Sequence, residues 1–410
     1  MKVTMVIPSY WAREREVGWK EGDAIYDHPT PLDSEGTLLR AIQSIEKLED
    51  KDFQLVIIAV ATAEDIETQV EKKVANIIQS SNPGVEVLLF GHFHLKQIYE
   101  LLISESKKEY IDLLQLRGYS DIRNLCIFIP HVLGSDAAVL IDDDEVFEDQ
   151  GFMLKAKEFI GRSIGGRTVN AVAGYYLQPE GGYHVKKPFR PWMEYWGQYD
   201  RMNETFDKII GTEPRLKETP FVFGGNMVIH RNLFTVVPFD PDVPRGEDID
   251  FLINAKMFGF SFFLDNQLSI KHLPPPKTHP IWMQLREDIR RFIYERAKIE
   301  RQKEIKGMTR VYPEEFDPYP GCFLKSDLEE KIEKSCNRLS GDYLAEGDRA
   351  GSKEALRNIF IAKTDAVPKY DPFQRLCKLQ KRWWELMRFT SHEKIRSRIT
   401  DIIPLCKEAQ

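Results

Sequence analysis

The sequence has no long apolar run. No stretch approaches the ~18–20 consecutive apolar residues of a membrane helix, so a spanning segment is not expected. Cysteine is sparse: Cys126, Cys322, Cys336, Cys377 and Cys406 are odd in number and widely spaced. No two of them form a Cys-x-x-Cys pair, so neither a disulfide framework nor a zinc site is indicated, and a reducing, cytoplasmic setting follows. Basic excess is missing too. The formal net charge is -7, which argues against a dedicated nucleic-acid binder. There are no internal repeats and no low-complexity tracts. The short apolar run at the N-terminus lacks a small-residue cleavage site and reads as a first strand rather than a signal peptide. What remains is a globular composition. It has 42% hydrophobic and 30% charged residues over 410 positions, enough for one large or two ordinary domains.

The first half alternates strand-like and helix-like segments. Residues 3–8, 53–61, 85–90 and 137–141 are short apolar runs of strand length. Residues 33–46, 63–78 and 121–133 carry apolar positions at helical spacing, the first with Asp33 or Ser34 as a plausible N-cap. Such alternation predicts an α/β fold, a mostly parallel sheet with helices on both faces. Ligands then bind at the carboxyl ends of the strands. Residues 174–196, rich in aromatics, Gly and Pro, read as irregular or as short antiparallel strands. Residues 221–229, "FVFGGNMVI", read as a strand broken by glycines. After "LPPPKTHP" the chain turns helical and charged, with helices expected over 282–306, 327–338, 353–363 and 373–388. A boundary falls near residue 280.

Four acids end the strand at 137–141: "AAVLIDDDEV". Like charges so close are costly unless something offsets them. Alternate side chains at a strand end point the same way, so Asp142 and Asp144 can face one ligand, and hard oxygens suit magnesium or manganese bridging to a phosphate. An exposed acidic loop is the simpler alternative. "RGEDIDF" puts Glu247 and Asp248 in the first turn of a helix, where an acid is either a favourable helix start or a general base. His272 closes an apolar segment before a proline run and is either an ordinary histidine or a metal ligand. Gly224, Gly225 and Asn226 lack dinucleotide-fingerprint spacing and mark a bulge or a close backbone approach to an acceptor. Arg123, in "GYSDIRN", is either exposed or paired with a phosphate.

The order of these pieces resembles the GT-A class of nucleotide-sugar glycosyltransferases, in particular the large family-two-like group. A first strand ends in "IPSY"; then come Gly…Arg-Asn, Asp-x-Asp, "GGN", "GEDIDF" and a strand-end histidine. The likeness covers roughly residues 1–275. It implies a GT-A, Rossmann-like domain over 1–280, with a nucleotide-sugar half (1–145) and an acceptor and catalytic half (146–280), followed by a helical extension (281–410). It implies a hexosyltransferase using a nucleoside-diphosphate sugar, a divalent cation (Mn2+ or Mg2+) and a hydroxyl acceptor such as a sugar, sugar-phosphate or polyol. Asp142, Asp144 and His272 would hold the metal. Asp142–Asp144, Arg123 and, near the nucleobase, Pro8 and Ser9 would hold the donor. Gly224, Gly225 and Asn226 would face the acceptor. Asp248, with Glu247 beside it, would be the base of an inverting reaction. Relatives such as mannosylglycerate and glucosyl-phosphoglycerate synthases are retaining instead. The long segment after "IPSY" departs from the usual short turn.

Three other readings compete. "DDDEV" also fits a haloacid-dehalogenase-type phosphatase, though that motif normally ends the first strand of its domain. A nucleotidyltransferase would want a glycine-rich loop after the first strand, which "SYWARERE" lacks. A non-catalytic carbohydrate-binding protein would not need intact Asp-x-Asp and Glu-Asp motifs. Residues 378–389, "KLQKRWWELMRF", suit a membrane surface, a second subunit of a homodimer, or packing on their own domain. Lys186, Lys187 and Arg190 suit an acidic acceptor or a solvated loop.

Overall fold

The computed structural model describes residues 1–276 and 279–403. Lys277 and Thr278 of the proline-rich run, and Cys406, lie outside them. Eight strands build the main sheet: β1 (Val3–Ala12), β2 (Gln54–Ala61), β3 (Val87–Phe90), β4 (Ala137–Ile141), β5 (Ala171–Leu177), β6 (Leu216–Glu218), β7 (Asn226–His230) and β8 (Phe262–His272). Their order is β6-β8-β5-β7-β4-β1-β2-β3. The half formed by β4, β1, β2 and β3 is all parallel, as the sequence pattern predicts. β7 runs antiparallel between β4 and β5, and β8 is parallel to β5. The two-residue strands Thr30–Pro31 and Glu145–Val146 add to β1 and β8.

Both faces of the sheet are buried, which is why its strands read as unbroken apolar runs rather than alternating ones. Met5, Ile7, Ile57 and Val139 face one side. There they meet α1 (Leu38–Ser44), α2 (Glu67–Gln79) and α5 (Phe152–Glu158). Val6, Val56, Ile58 and Leu140 face the other side. That layer holds α3 (His92–Ser104), α4 (Tyr119–Val132), α6 (Gln198–Ile209) and α7 (Glu247–Met257). It continues without a break into the C-terminal helices α8 (Ile281–Glu300), α9 (Leu328–Ala345), α10 (Arg349–Lys363), α11 (Pro372–Thr390) and α12 (Glu393–Ile402). Leu285, Phe292, Leu339, Trp383 and Ile399 belong to the same apolar cluster as Val6 and Leu140.

Several boundaries differ from the sequence reading. α1 starts only at Leu38, and neither Asp33 nor Ser34 caps it: Asp33 accepts from the Arg15 backbone N–H at 3.2 Å and Ser34 from the Arg15 guanidinium at 2.6 Å. Residues 174–177 are not irregular but finish β5, inside the sheet. A Cβ at Gly174 would come within 2.0 Å of the Leu268 carbonyl, so only glycine lets β8 bulge there. Residues 221–225 are not strand; β7 begins at Asn226. α8 stops at Glu300, where Gln302 turns back to bond Ile299 and Val311. α3 and α12 escaped the sequence pattern, although Leu95, Ile98 and Leu102 have helical spacing.

In α11, Trp383 is buried and donates from its indole to the Phe234 carbonyl at 2.9 Å, so the apolar face of "KLQKRWWELMRF" packs on the chain's own core. Among the described residues, no helix is long and apolar enough to cross a membrane. The four described cysteines are free.

Candidate active site

β4 runs into Asp142, Asp143 and Asp144 at the carboxyl end of the parallel half-sheet, and each acid has a different environment. Asp143 is buried against β1 and accepts a 2.6 Å hydrogen bond from Ser9, whose hydroxyl accepts from the Trp11 indole at 2.9 Å. Burial, then the charge of Asp144, pushes the Asp143 carboxyl up to about 8, with Ser9 offsetting part. Asp144 faces the end of β8. Pairing of Glu145–Val146 with Lys271–His272 brings the two segments together, and the Asp144 carbonyl accepts from the Leu273 N–H at 2.9 Å. This sets the Asp144 carboxylate 3.4 Å from His272 Nε2. Burial pushes Asp144 up, but the bond and charge of His272 more than offset it and hold it below the usual carboxylate range. The His272 ring stacks on Tyr176 with centroids 4.6 Å apart.

Asp142 turns toward α4. Its Oδ1 accepts from Arg123 Nη2 at 2.7 Å, while Arg123 Nε donates to Glu247 Oε1 at 3.2 Å. Arg123 is only 3% exposed, and its Nη1 has no hydrogen-bond partner among the described residues. A buried donor without an acceptor is costly and marks a place where a ligand oxygen belongs.

The glycines permit this crowding. A Cβ at Gly225 would lie 2.1 Å from Glu145 Oε1 and 2.6 Å from Asp142 Oδ2. One at Gly224 would lie 3.2 Å from Arg123 Nη2 and 3.3 Å from Asp248 Oδ2. Gly224 lines the cleft; Gly225 and Asn226 do not. Asn226 is buried, and its amide N–H groups donate to the carbonyls of Tyr175 at 3.3 Å and Leu268 at 3.1 Å, tying β5 to β8. Pro8 likewise sits within β1, paired with Ile58, and Ser9 reaches the cleft only through Asp143. The residues that do line the cleft near β1 are Tyr10, Tyr26, Asp27 and His28. Three of these come from the long segment after "IPSY" that fitted no motif.

Glu247 and Asp248 open α7 after Gly246, which adopts φ +73. Asp248 Oδ1 accepts from the Ile249 N–H at 2.8 Å. Burial raises both carboxyls. Asp248 adds to the rise at Glu247, while Arg123 offsets it; at Asp248 the Ile249 N–H, Arg291 and Arg123 offset part. The cleft, about 870 Å³, is lined by apolar residues as well as charged ones, among them Trp192, Met193, Met202, Phe223 and Leu285.

Among the described residues, no three acid, histidine or cysteine side chains are gathered as a ready metal cage. Asp144 and His272 offer one hard oxygen and one imidazole nitrogen, and Asp142 is held by Arg123 instead. Mg2+ keeps several waters and takes one or two carboxylates plus substrate phosphates, so this pair fits an ion completed by a diphosphate.

No family model matches the sequence, and no curated protein matches it. Among solved structures the chain is similar to mannosyltransferase PcManGT from Pyrobaculum calidifontis in complex with GDP-Man and Mn2+, at 13% identity over 96% of this chain and 87% of that one, TM-score 0.43. It is similar to a mycobacterial protein at 15% identity over 72% and 74%, TM-score 0.35. It is also similar to GalNAc-T7 with UDP, GalNAc and Mn2+ at 11% identity, covering 72% of this chain and half of that one (50%), TM-score 0.36.

Proposed function

We propose that this chain is a divalent-cation-dependent glycosyltransferase that moves a sugar from a nucleoside-diphosphate sugar to a hydroxyl with inversion. The observation that carries this is Arg123. One buried guanidinium bonds Asp142 on the donor side and Glu247 on the acceptor side, and leaves its Nη1 without a partner among the described residues. Asp144 and His272 would hold the cation, which would supply positive charge against the diphosphate leaving group. Arg123 Nη1 donates to a diphosphate oxygen. Tyr10, Tyr26 and His28 form the wall for the nucleoside. Asp248 takes the proton of the acceptor hydroxyl as that oxygen bonds the anomeric carbon and the bond to the diphosphate breaks. Raising of its pKa by burial makes it a better proton acceptor than a surface aspartate.

The test is a thermal-shift panel of UDP, GDP, ADP, CMP and their sugars, each with and without Mn2+ or Mg2+. A cation-dependent rise in melting temperature with one nucleoside diphosphate, lost in Asp144→Ala, is expected. No shift with any of them overturns the reading. The anomeric configuration of the product, read by NMR, decides inversion.

A further inference from the structure

We infer that Arg291, on the C-terminal helix α8, is a positioning residue that fixes the turn carrying Asp248 and keeps that carboxylate ready to accept a proton. The inference rests on the role proposed for Asp248.

Arg291 is 3% exposed and packs against Gly246, the residue before Glu247 and Asp248. A Cβ at Gly246 would come 1.6 Å from Arg291 Nη1. Any larger side chain there would have to displace the guanidinium, and the left-handed φ of +73 independently favours glycine. The guanidinium is itself clamped. Nη2 donates to the Tyr319 hydroxyl at 2.9 Å, Asp288 Oδ1 is 3.6 Å away, and Nε is 4.0 Å from Glu295 Oε1. Tyr319 is fixed in turn by Gln198 of α6, which donates to its hydroxyl at 3.1 Å. The preceding residue is tied down as well: Arg245 bonds Asp288 at 3.2 Å and Asp27, from the segment after "IPSY", at 3.0 Å. The Arg245–Asp248 turn is therefore held from both sides by residues outside its own helix.

The charges around Asp248 make the clamp electrostatic as well as steric. Facing it are Glu247 on its own helix, Arg123 on α4, Asp142 after β4, and Arg291 and Glu295 on α8. Arg123 is already shared between two acids. Arg291 is the cation that opposes the rise in the Asp248 pKa from its own side of the cleft. Burial raises the Glu295 carboxyl, which leaves the Arg291 charge less neutralised by its neighbour on α8.

The experiment follows cation-dependent hydrolysis of UDP-glucose, GDP-mannose and ADP-glucose, with water as acceptor, in the full chain across pH. Arg291→Met should lower kcat by about 10- to 100-fold with the donor KM unchanged. The acidic limb of its kcat–pH profile should move to higher pH, because a positive charge near Asp248 is gone. Arg291→Lys should restore the limb but only part of the rate, since a single ammonium cannot both pack against Gly246 as the guanidinium does and bond Tyr319. A merely structural arginine would change melting temperature without moving the limb, and an unmoved limb overturns the inference. If Arg291→Met fails to fold, Tyr319→Phe decides: it removes one hydroxyl from the clamp and leaves no void. A lower kcat with the limb shifted upward supports the inference; an unchanged profile overturns it. Asp248→Asn separates the two levels. If that variant turns over normally, the base assignment has failed. If it is inactive while the Arg291 variants behave like the parent, only the positioning role has failed.

Discussion

Ser9 Oγ meets Asp143 Oδ2 at 2.6 Å, a hydrogen bond that joins β1 to the acids following β4. It sets Asp143 apart within the triplet: all three acids line the cleft, but Asp143 is tied back to β1, while Asp142 bonds Arg123 and Asp144 faces His272. An amide can accept the same bond without charge, and burial already holds the Asp143 carboxyl near 8. Asp143→Asn should therefore fold within about 1 kcal/mol of the parent and keep its cation-dependent nucleotide shift. Asp143→Ala, which leaves the buried Ser9 hydroxyl without its acceptor, should lose about 1–3 kcal/mol in urea unfolding. Loss of nucleotide binding in Asp143→Asn would make Asp143 a ligand instead.

Arg123→Lys keeps one charge but cannot bond Asp142 and Glu247 together. Nucleoside-diphosphate affinity, measured by calorimetry, should fall about tenfold or more, equivalent to ~1.4 kcal/mol. Unchanged affinity would remove Arg123 from the diphosphate site.

Asp144 and His272 should behave as a pair toward the cation. Chelation of divalent ions should abolish the nucleotide-dependent shift in the parent. His272→Ala should raise the Mn2+ concentration needed for half the shift by about tenfold or more, the range seen when a metal shell is perturbed. Normal Mn2+ dependence in that variant would restrict the site to carboxylates.

Asp248→Asn should leave the donor-induced shift intact while transfer falls by about 100- to 10,000-fold, the usual share of a general base. Glu247→Gln, which still accepts from Arg123, should lose less. If the two variants lose activity in the reverse order, Glu247 is the base.

His131 supplies a test of the fold rather than of the site. It is 1% exposed, its Nε2 donates to the Met387 carbonyl at 2.8 Å, and its Nδ1 lies 3.4 Å from the Arg231 guanidinium. Burial, and then Arg231, lowers its pKa from 6.5 to about 4. The folded state thus prefers the neutral ring. Its contribution is complete above pH 6.5 and is lost as pH falls from 6.5 toward 4, about 3 kcal/mol in all. His131→Gln, whose amide can both donate to Met387 and accept from Arg231, should flatten stability against pH in that window. A slope as steep as the parent's would place the titration elsewhere.

The parallel half-sheet was legible because its strands are buried on both faces and leave continuous apolar runs. The acids at the end of β4 and the Glu-Asp at the start of α7 were legible because charge breaks those runs abruptly. Asn226 was misread. In sequence it adjoins the glycines, and only the paired strands reveal that its amide serves the carbonyls of Tyr175 and Leu268. Tyr10, His28 and Arg291 were missed because each depends on long-range packing. No spacing along the chain announces that a helix beginning at Ile281 will lie under Gly246. The one local hint was Gly246 itself, directly before two acids.

The shared core of the sheet and the C-terminal helices bears on how the protein is made. Synthesis delivers the strands, the aspartates and the Glu-Asp turn before α8 exists. A nascent chain at that stage already carries the strands and the acids of the cleft, while the face bearing Val6 and Leu140 still lacks Phe292, Trp383 and Ile399. The turn around Gly246 has no arginine beneath it yet. The C-terminal helices therefore close the hydrophobic layer in stages: α8 first brings Arg291 under the Gly246 turn, and α11 and α12 then cover the remaining apolar face.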